Sequence, residues 1–289
     1  MAIIQASAAV GAVVVLNITA RTYRLNRRGQ ETDRFVKALE RLGSHERFVR
    51  IGGVLAMDQI VEDAPGQATH AAQVLNAFIR DRSPRRPGAE PVTRQRVAAA
   101  RRAARHLATS RVEPKLALPR EPDADVQRAL TMLTRPSLRS HVAPTEVIDL
   151  AGLHLTSAML TGADLTNARL GWADLTYAWL GGANFTSAHL GGANFTGAQL
   201  GAANLTYALL GEADLTNALL YGANLTNAWL HGTNLTNAWL GKADLRSVDQ
   251  LTVSQVVSAR PTKTTQLPTD IAADPRVISR IEEVESSAG

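Results

Sequence analysis

The chain has 289 residues, 45% of them apolar and 20% charged, with a formal net charge of +5. That length has room for two domains with buried cores. The absence of cysteine excludes disulfide frameworks, thiolate metal sites and cysteine nucleophiles. Charge is unevenly spread: residues 1–145 carry 24 Lys and Arg against 13 Asp and Glu, residues 146–247 carry 3 against 7, and residues 248–289 carry 4 against 6. A basic first half joined to a mildly acidic second half predicts two bodies with different surroundings.

Residues 2–20, AIIQASAAVGAVVVLNITA, bear no charge and end against Arg21, Arg24, Arg27 and Arg28. As a helix at about 1.5 Å per residue they reach about 28 Å, close to the ~30 Å hydrocarbon core of a bilayer. The cations follow the apolar stretch, so residues 1–20 read as a single-span anchor and not as a cleaved signal. The positive-inside rule then places everything after Arg21 on the cytoplasmic side. Gln5, Ser7 and Asn17 support the competing reading, a soluble amphipathic leader.

Residues 21–145 read as a basic α-helical domain. Phe35, Leu39 and Leu42 make one stripe; Ala71, Val74, Leu75 and Phe78 a second; Val97, Ala100, Ala104 and Leu107 a third; Val126, Leu130 and Leu133 a fourth. Gly43-Ser44 marks one helix end and the next start, Pro65-Gly66 a turn, and Thr69, Thr93 and Asp123 helix starts. Four or five short helices in antiparallel pairs are expected. Residues 80–106 hold nine arginines, Arg80, Arg82, Arg85, Arg86, Arg94, Arg96, Arg101, Arg102 and Arg105. They are either a solvated linker with an outer helix face or a contact for anionic lipid headgroups, Arg80, Arg82, Arg85, Arg86, Arg94, Arg101 and Arg105 being the candidates. No aromatic is interleaved, so nucleic acid is not expected as a partner.

From Ile148 the chain falls into fives: IDLAG LHLTS AMLTG ADLTN ARLGW ADLTY and so on to ADLRS, twenty pentapeptides over residues 148–247 with Leu or Phe at every third position. Neither the helical period of 3.6 nor the strand period of 2 explains that beat. The pattern resembles the pentapeptide repeat family, in an actinobacterial-type arrangement with an N-terminal hydrophobic segment and a helical domain. The resemblance implies a right-handed quadrilateral β-helix, four pentapeptides to a coil and five coils over residues 146–247, in an α+β chain. Residues 248–289 would supply a C-terminal cap helix and a tail fraying after Glu285.

Elementary geometry agrees with that fold. If each five-residue unit makes one side of a square, the central Leu and the Ala two positions before it both point to the axis. Leu150 then stacks on Leu170, Leu190, Leu210 and Leu230, and the crowded corner position is Ala in the units from Ala158 to Ala243, Thr233 excepted. Coils spaced by about 4.8 Å give a rod about 24 Å long. Two opposite sides carry Asp or Asn followed by Thr; the other two carry larger residues, with Trp179, Leu219 and Trp239 down one and Leu209 and Trp229 down the other. Columns of exposed tryptophan imply a cover: the helical domain, a second copy in a homodimer, or an external protein.

Seven scattered histidines show no metal-ligand spacing, and no nucleophile, base and oxyanion donor converge. A non-enzyme without metal or cofactor is therefore expected. The leading reading is a membrane-tethered cytoplasmic interaction scaffold with an unidentified protein partner and an anionic membrane surface as a further contact. A second follows from a branch of the resembled family that mimics duplex DNA and shields type II topoisomerases such as gyrase. For that, Asp174 and Asp214 on one side and Asp164 and Asp244 on the other are a sparse set of carboxylates. A third is ordered-water recognition by the threonine ladders.

Overall fold

The structure is a computed structural model describing residues 30–85 and 121–287. The leader and anchor (1–20), Thr93, the stripe from Val97 to Leu107 and the arginines from Arg86 to Arg105 all lie outside the described residues. Among the described residues no helix is long and apolar enough to cross a membrane. The chain divides into two compact units, one up to Gln67 and one from Ala68 onward, so the boundary falls inside the range 21–145.

The first unit is a helical hairpin, α1 (residues 30–42) and α2 (Arg47–Asp63), followed by a single 3-10 turn at Pro65–Gln67. Gly43 donates to the Leu39 carbonyl at 3.0 Å and ends α1. The helices cross where side chains are smallest: a Cβ on Gly53 would stand 2.8 Å from the Leu42 nitrogen and 3.1 Å from the Ala38 oxygen. That crossing corrects the first stripe. Ala38 and Leu42 are buried while Leu39 is exposed, because the close approach needs a small residue. Arg50, buried in the hairpin, donates to the Ser44 and His45 carbonyls at 3.2 and 2.7 Å and secures the turn.

The second unit opens with α3 (Ala68–Arg82), α4 (Ala124–Leu133) and the four-residue α5 (Pro136–Arg139). Val126, Leu130 and Leu133 are buried, as are Ala71 and Leu75 of α3. Asp123 is the residue before α4, in agreement with the expected start. α3 begins one residue before Thr69, the expected start, and the Thr69 hydroxyl accepts the Ala143 N–H at 3.0 Å.

From Asp149 to Trp229 each fifth residue forms a parallel bridge to the residue twenty further on, giving four columns. Side I runs Asp149, Arg169, His189, Leu209, Trp229, Asp249; side II His154, Asp174, Asn194, Asp214, Asn234. Side III runs Met159, Trp179, Gln199, Leu219, Trp239, Arg260, and side IV Asp164, Asn184, Asn204, Asn224, Asp244, Gln266. The sides are too short to count as strands, and the ladder is a set of isolated bridges. Each corner is closed by a bond from the Ala N–H to the carbonyl of the Leu or Phe three residues before, as from Ala158 to Leu155 at 3.1 Å. Every fifth residue from Gly152 to Lys242 has a positive φ, between 54° and 70°. The axis is filled by the Leu and Phe columns and lined by the Ala positions, all buried. Thr233 fits among the alanines because its hydroxyl donates to the Leu210 carbonyl at 2.8 Å. Thr233→Val, which keeps the shape and loses the donor, is expected to cost about 1 kcal/mol in urea unfolding.

An open β-helix end exposes unpaired backbone, and here the first coil is closed on all four sides. The N–H groups that would bond a preceding coil belong to Asp149, His154, Met159 and Asp164. They donate to the Asn76 side-chain oxygen at 3.1 Å, the Pro84 carbonyl at 2.8 Å, the Gln127 side-chain oxygen at 3.0 Å and the Thr134 carbonyl at 2.7 Å. The helices before the rod are thus its hydrogen-bonding lid.

At the other end the beat lengthens. Bridges step by twenty to Asp249, then Trp239 pairs with Arg260 and Asp244 with Gln266. Residues 249–266 therefore add three sides of a further turn beyond the five coils expected, with α6 (Val253–Ser258) in place of the fourth. Thr252 and Gln255 form a reciprocal cap on α6, and the Gln255 amide donates to the Leu230 and Thr233 carbonyls, both at 2.9 Å. Beyond α7 (Thr269–Ala272), α8 (Pro275–Ser286) buries Val277 and Val284. Its Arg280 donates at 3.0 Å to the Ala259 carbonyl of the last turn. The tail helix is thus part of the closure, and it ends at Ser286, one residue beyond Glu285.

Candidate functional site

On sides II and IV the polar residues are spent on the rod. Each Asp or Asn from Asp164 to Asn234 accepts the N–H and the hydroxyl of the Thr two residues on, the hydroxyl bonds being 2.5–2.6 Å. Asn adds a link that Asp cannot make. The Asn184, Asn204 and Asn234 amides donate to Thr166, Thr186 and Thr216 of the coil before, at 2.9, 3.0 and 2.9 Å. The threonine hydroxyl protons are thus committed to the Asp or Asn of their own side. The carboxylates are few and partly partnered: Asp174 lies 3.1 Å from His154 and Asp244 2.7 Å from Arg246, whose hydrogen bond chiefly holds the Asp244 carboxyl below its ordinary range.

Sides I and III are different. Bridges place Trp179, Leu219 and Trp239 in one column and Leu209 and Trp229 in the other. All five are uncovered, Trp179 at 51% and Trp229 at 39% exposure being the extremes, with Met159 at 63% heading side III. The two columns are unequal. Side I is apolar only in its later half, after Asp149, Arg169 and His189, and Trp229 stacks on His231 at 5.7 Å. Side III carries no carboxylate, and its one cation, Arg260, lies 4.4 Å over the Trp239 ring.

Sequence reasoning missed the aromatics of the corners. Trp172, Tyr177, Tyr207 and Tyr221 are all exposed, and three of them lie over a glycine twenty residues on. A Cβ on Gly192 would stand 2.5 Å from Trp172, one on Gly197 2.5 Å from Tyr177, and one on Gly241 3.1 Å from Tyr221. The signal was present as an aromatic followed by glycine at a spacing of twenty. Gly197, with φ +65°, is the sharpest case: Gly197→Ala is expected to cost about 1–2 kcal/mol, about 1 from the left-handed backbone and the rest from displacing the ring. Adding Tyr177→Ala should return the second part only, as a double-mutant cycle of urea midpoints will read.

The arginine candidates divide. Arg80 forms an ion pair with Asp149 at 2.8 Å and donates to its carbonyl at 3.2 Å, so it belongs to the lid of the rod. Arg82 lies 3.9 Å from Asp81, and Arg85 pairs with Leu153 in an antiparallel bridge. Arg86, Arg94, Arg101 and Arg105 lie outside the described residues. Burial holds the Arg139 guanidinium below its ordinary value, against the pull of Asp164 and Glu146.

Among the described residues no cluster of His, Cys, Asp or Glu is arranged to hold a metal. Ser83 and His154 line one cavity, and the His154 imidazole lies 3.1 Å from Asp174. The buried Ser83 hydroxyl has no hydrogen bond to the imidazole, and the cavity that these two line with Pro84, Pro122 and Val126 is about 60 Å³, sized for water and not for a substrate. In the first unit a shallow groove of about 330 Å³ has Ile60 and Ala56 at its floor and Arg34, Lys37 and Arg41 at its rim. Arg34 there pairs with Asp63 at 3.1 Å.

A rod of four-sided coils closed at both ends defines the class: a repeat protein whose surfaces are its faces. The sequence model described as "Pentapeptide repeats" matches in eight copies, over residues 148–176, 168–206 and 198–237. The chain belongs to the pentapeptide repeat family, whose members fold as right-handed quadrilateral β-helices. Among solved structures it is similar to alr5209, a pentapeptide repeat protein from Nostoc Pcc 7120, at 31% identity over 39% of this chain and 84% of that one, with a TM-score of 0.27. QnrB1, a plasmid-mediated fluoroquinolone resistance protein, matches at 17% identity over 47% and 74%, TM-score 0.32. HetL, a pentapeptide repeat protein involved in heterocyst differentiation regulation from Nostoc sp. Strain PCC 7120, matches at 32% over 42% and 63%, TM-score 0.22. Comparison with curated proteins finds no match.

Proposed function

We propose that this chain is a non-catalytic protein-interaction scaffold in which the repeat rod offers its tryptophan faces to a protein partner. One observation carries the reading: the rod satisfies its own backbone and its polar columns, yet leaves Trp179, Leu209, Leu219, Trp229 and Trp239 uncovered. Apolar side chains in register on a flat face favour a partner that desolvates them. In this reading residues 21–145 form the helical part, 146–247 the rod and 248–289 its end cap. Residues 1–20, an uncharged stretch followed by four arginines, hold the protein at the cytoplasmic side of a membrane, with Arg82, Arg85, Arg86, Arg94, Arg101 and Arg105 near anionic headgroups. The acidic columns, diluted by asparagine, support duplex mimicry poorly.

The test joins localisation to function. The full chain should sediment with membranes and resist carbonate extraction, and residues 21–289 should not; equal solubility of the two removes the tether. Protection of gyrase supercoiling at micromolar protein would replace the scaffold reading with topoisomerase binding.

A further inference from the structure

We infer that side III is the contact face for a second copy of this chain, set antiparallel about a two-fold axis between the levels of Gln199 and Leu219. This inference rests on the scaffold reading and names a partner for one of its two faces.

Three observations single out side III. First, it has no like charge to oppose itself: from Met159 to Trp239 the column is uncharged, whereas side I begins with Asp149 and Arg169. Reversal of side I would set Asp149 against the Asp249 of the copy, two like charges at each end, so the column that is neutral from Met159 to Trp239 is the one that a copy covers at less cost. Second, part of its edge is low. The corner toward side IV is Gly181-Gly182 and Gly201-Ala202 at its middle levels and rises at Tyr221, with Tyr177 on the opposite corner, so a flat partner reaches the ~10 Å at which sheets pack face to face between these two rings. Third, the column is self-complementary in register. Its levels read Met159, Trp179, Gln199, Leu219, Trp239, Arg260. Reversal about the midpoint sets Trp179 against the Trp239 of the copy and Trp239 against its Trp179, an isologous contact made twice. Met159 then faces Arg260 at both ends, and the aromatic pairs gain beyond their area.

Size sets the strength. Five steps of about 4.8 Å make a face about 24 Å tall, at the small and reversible end of specific interfaces. The dimer therefore dissociates on dilution.

Sedimentation equilibrium of the full chain in detergent, from low micromolar to hundreds of micromolar, should show a reversible monomer–dimer equilibrium. Trp179→Ser and Trp239→Ser should each raise the dissociation constant about tenfold or more, and Trp229→Ser on side I should leave it unchanged. The absence of native cysteine allows a test of register. Chains bearing Met159→Cys and chains bearing Arg260→Cys, treated with a short bis-maleimide, should cross-link when mixed and not when separate. A monomer at every concentration overturns the inference while leaving the scaffold reading to stand on another partner. A dimer weakened by Trp229→Ser instead, or cross-linked within each single-cysteine population, overturns the face or the register.

Discussion

Phe195→Ala is expected to lower the unfolding free energy by about 3–5 kcal/mol, read as a shift of the urea midpoint at unchanged slope. Phe195 is fully buried at the middle of the rod, edge-on to Phe185 with ring centroids 6.2 Å apart and planes at 89°. Removing it takes away the transfer energy of the ring, the aromatic pair and the contacts around the void. The void cannot close easily. Each coil is held to its neighbours by ladder bonds such as Phe195 N–H to the Asp214 carbonyl at 2.7 Å and Asn194 N–H to the Ala173 carbonyl at 2.8 Å. Collapse along the axis would break them. The exposed Tyr207→Ala, by contrast, should move the midpoint by less than about 0.5 kcal/mol. Equal effects from the two would mean that the axis is not the core.

Leu130→Asp is expected to act at the end of the rod. Leu130 is fully buried in α4, and an unpaired carboxylate there should cost about 3–5 kcal/mol. The same helix and its following residue provide two of the four acceptors that close the first coil, Gln127 for Met159 and Thr134 for Asp164. In a solenoid each coil depends mainly on its neighbours. Hydrogen exchange should therefore lose protection first over residues 149–170 and keep it over 190–230. The uncovered edge should also promote end-to-end association at raised concentration. Uniform loss of protection along the rod would show that it unfolds as one block.

The repeat region was legible because its constraint recurs at each level of the stack: a buried Leu or Phe, a buried Ala and a left-handed corner, twenty residues apart. The closure of the ends was not, because it is made by single contacts. Nothing in the spacing of Asn76, Pro84, Gln127 and Thr134 tells that four acceptors from separate elements meet four N–H groups. Leu39 misled for a related reason, since helical period allows either Ala38 or Leu39 to face inward and the choice lies with Gly53 on the other helix. The tryptophan columns followed directly from the period. Their inequality did not, because it depends on what lies beside them, His231 at Trp229 and Arg260 at Trp239.

The lengthening of the beat at the end of the rod, from twenty to twenty-one to twenty-two residues, makes the protein a ruler with a fixed stop. Inserting or deleting a twenty-residue block before Asp249 preserves the phase of every column and leaves both closures untouched. Any other length rotates one closure against the other. The distance between the two ends is therefore quantised in steps of about 4.8 Å, and reach can change by duplication of whole coils without redesign of either terminus.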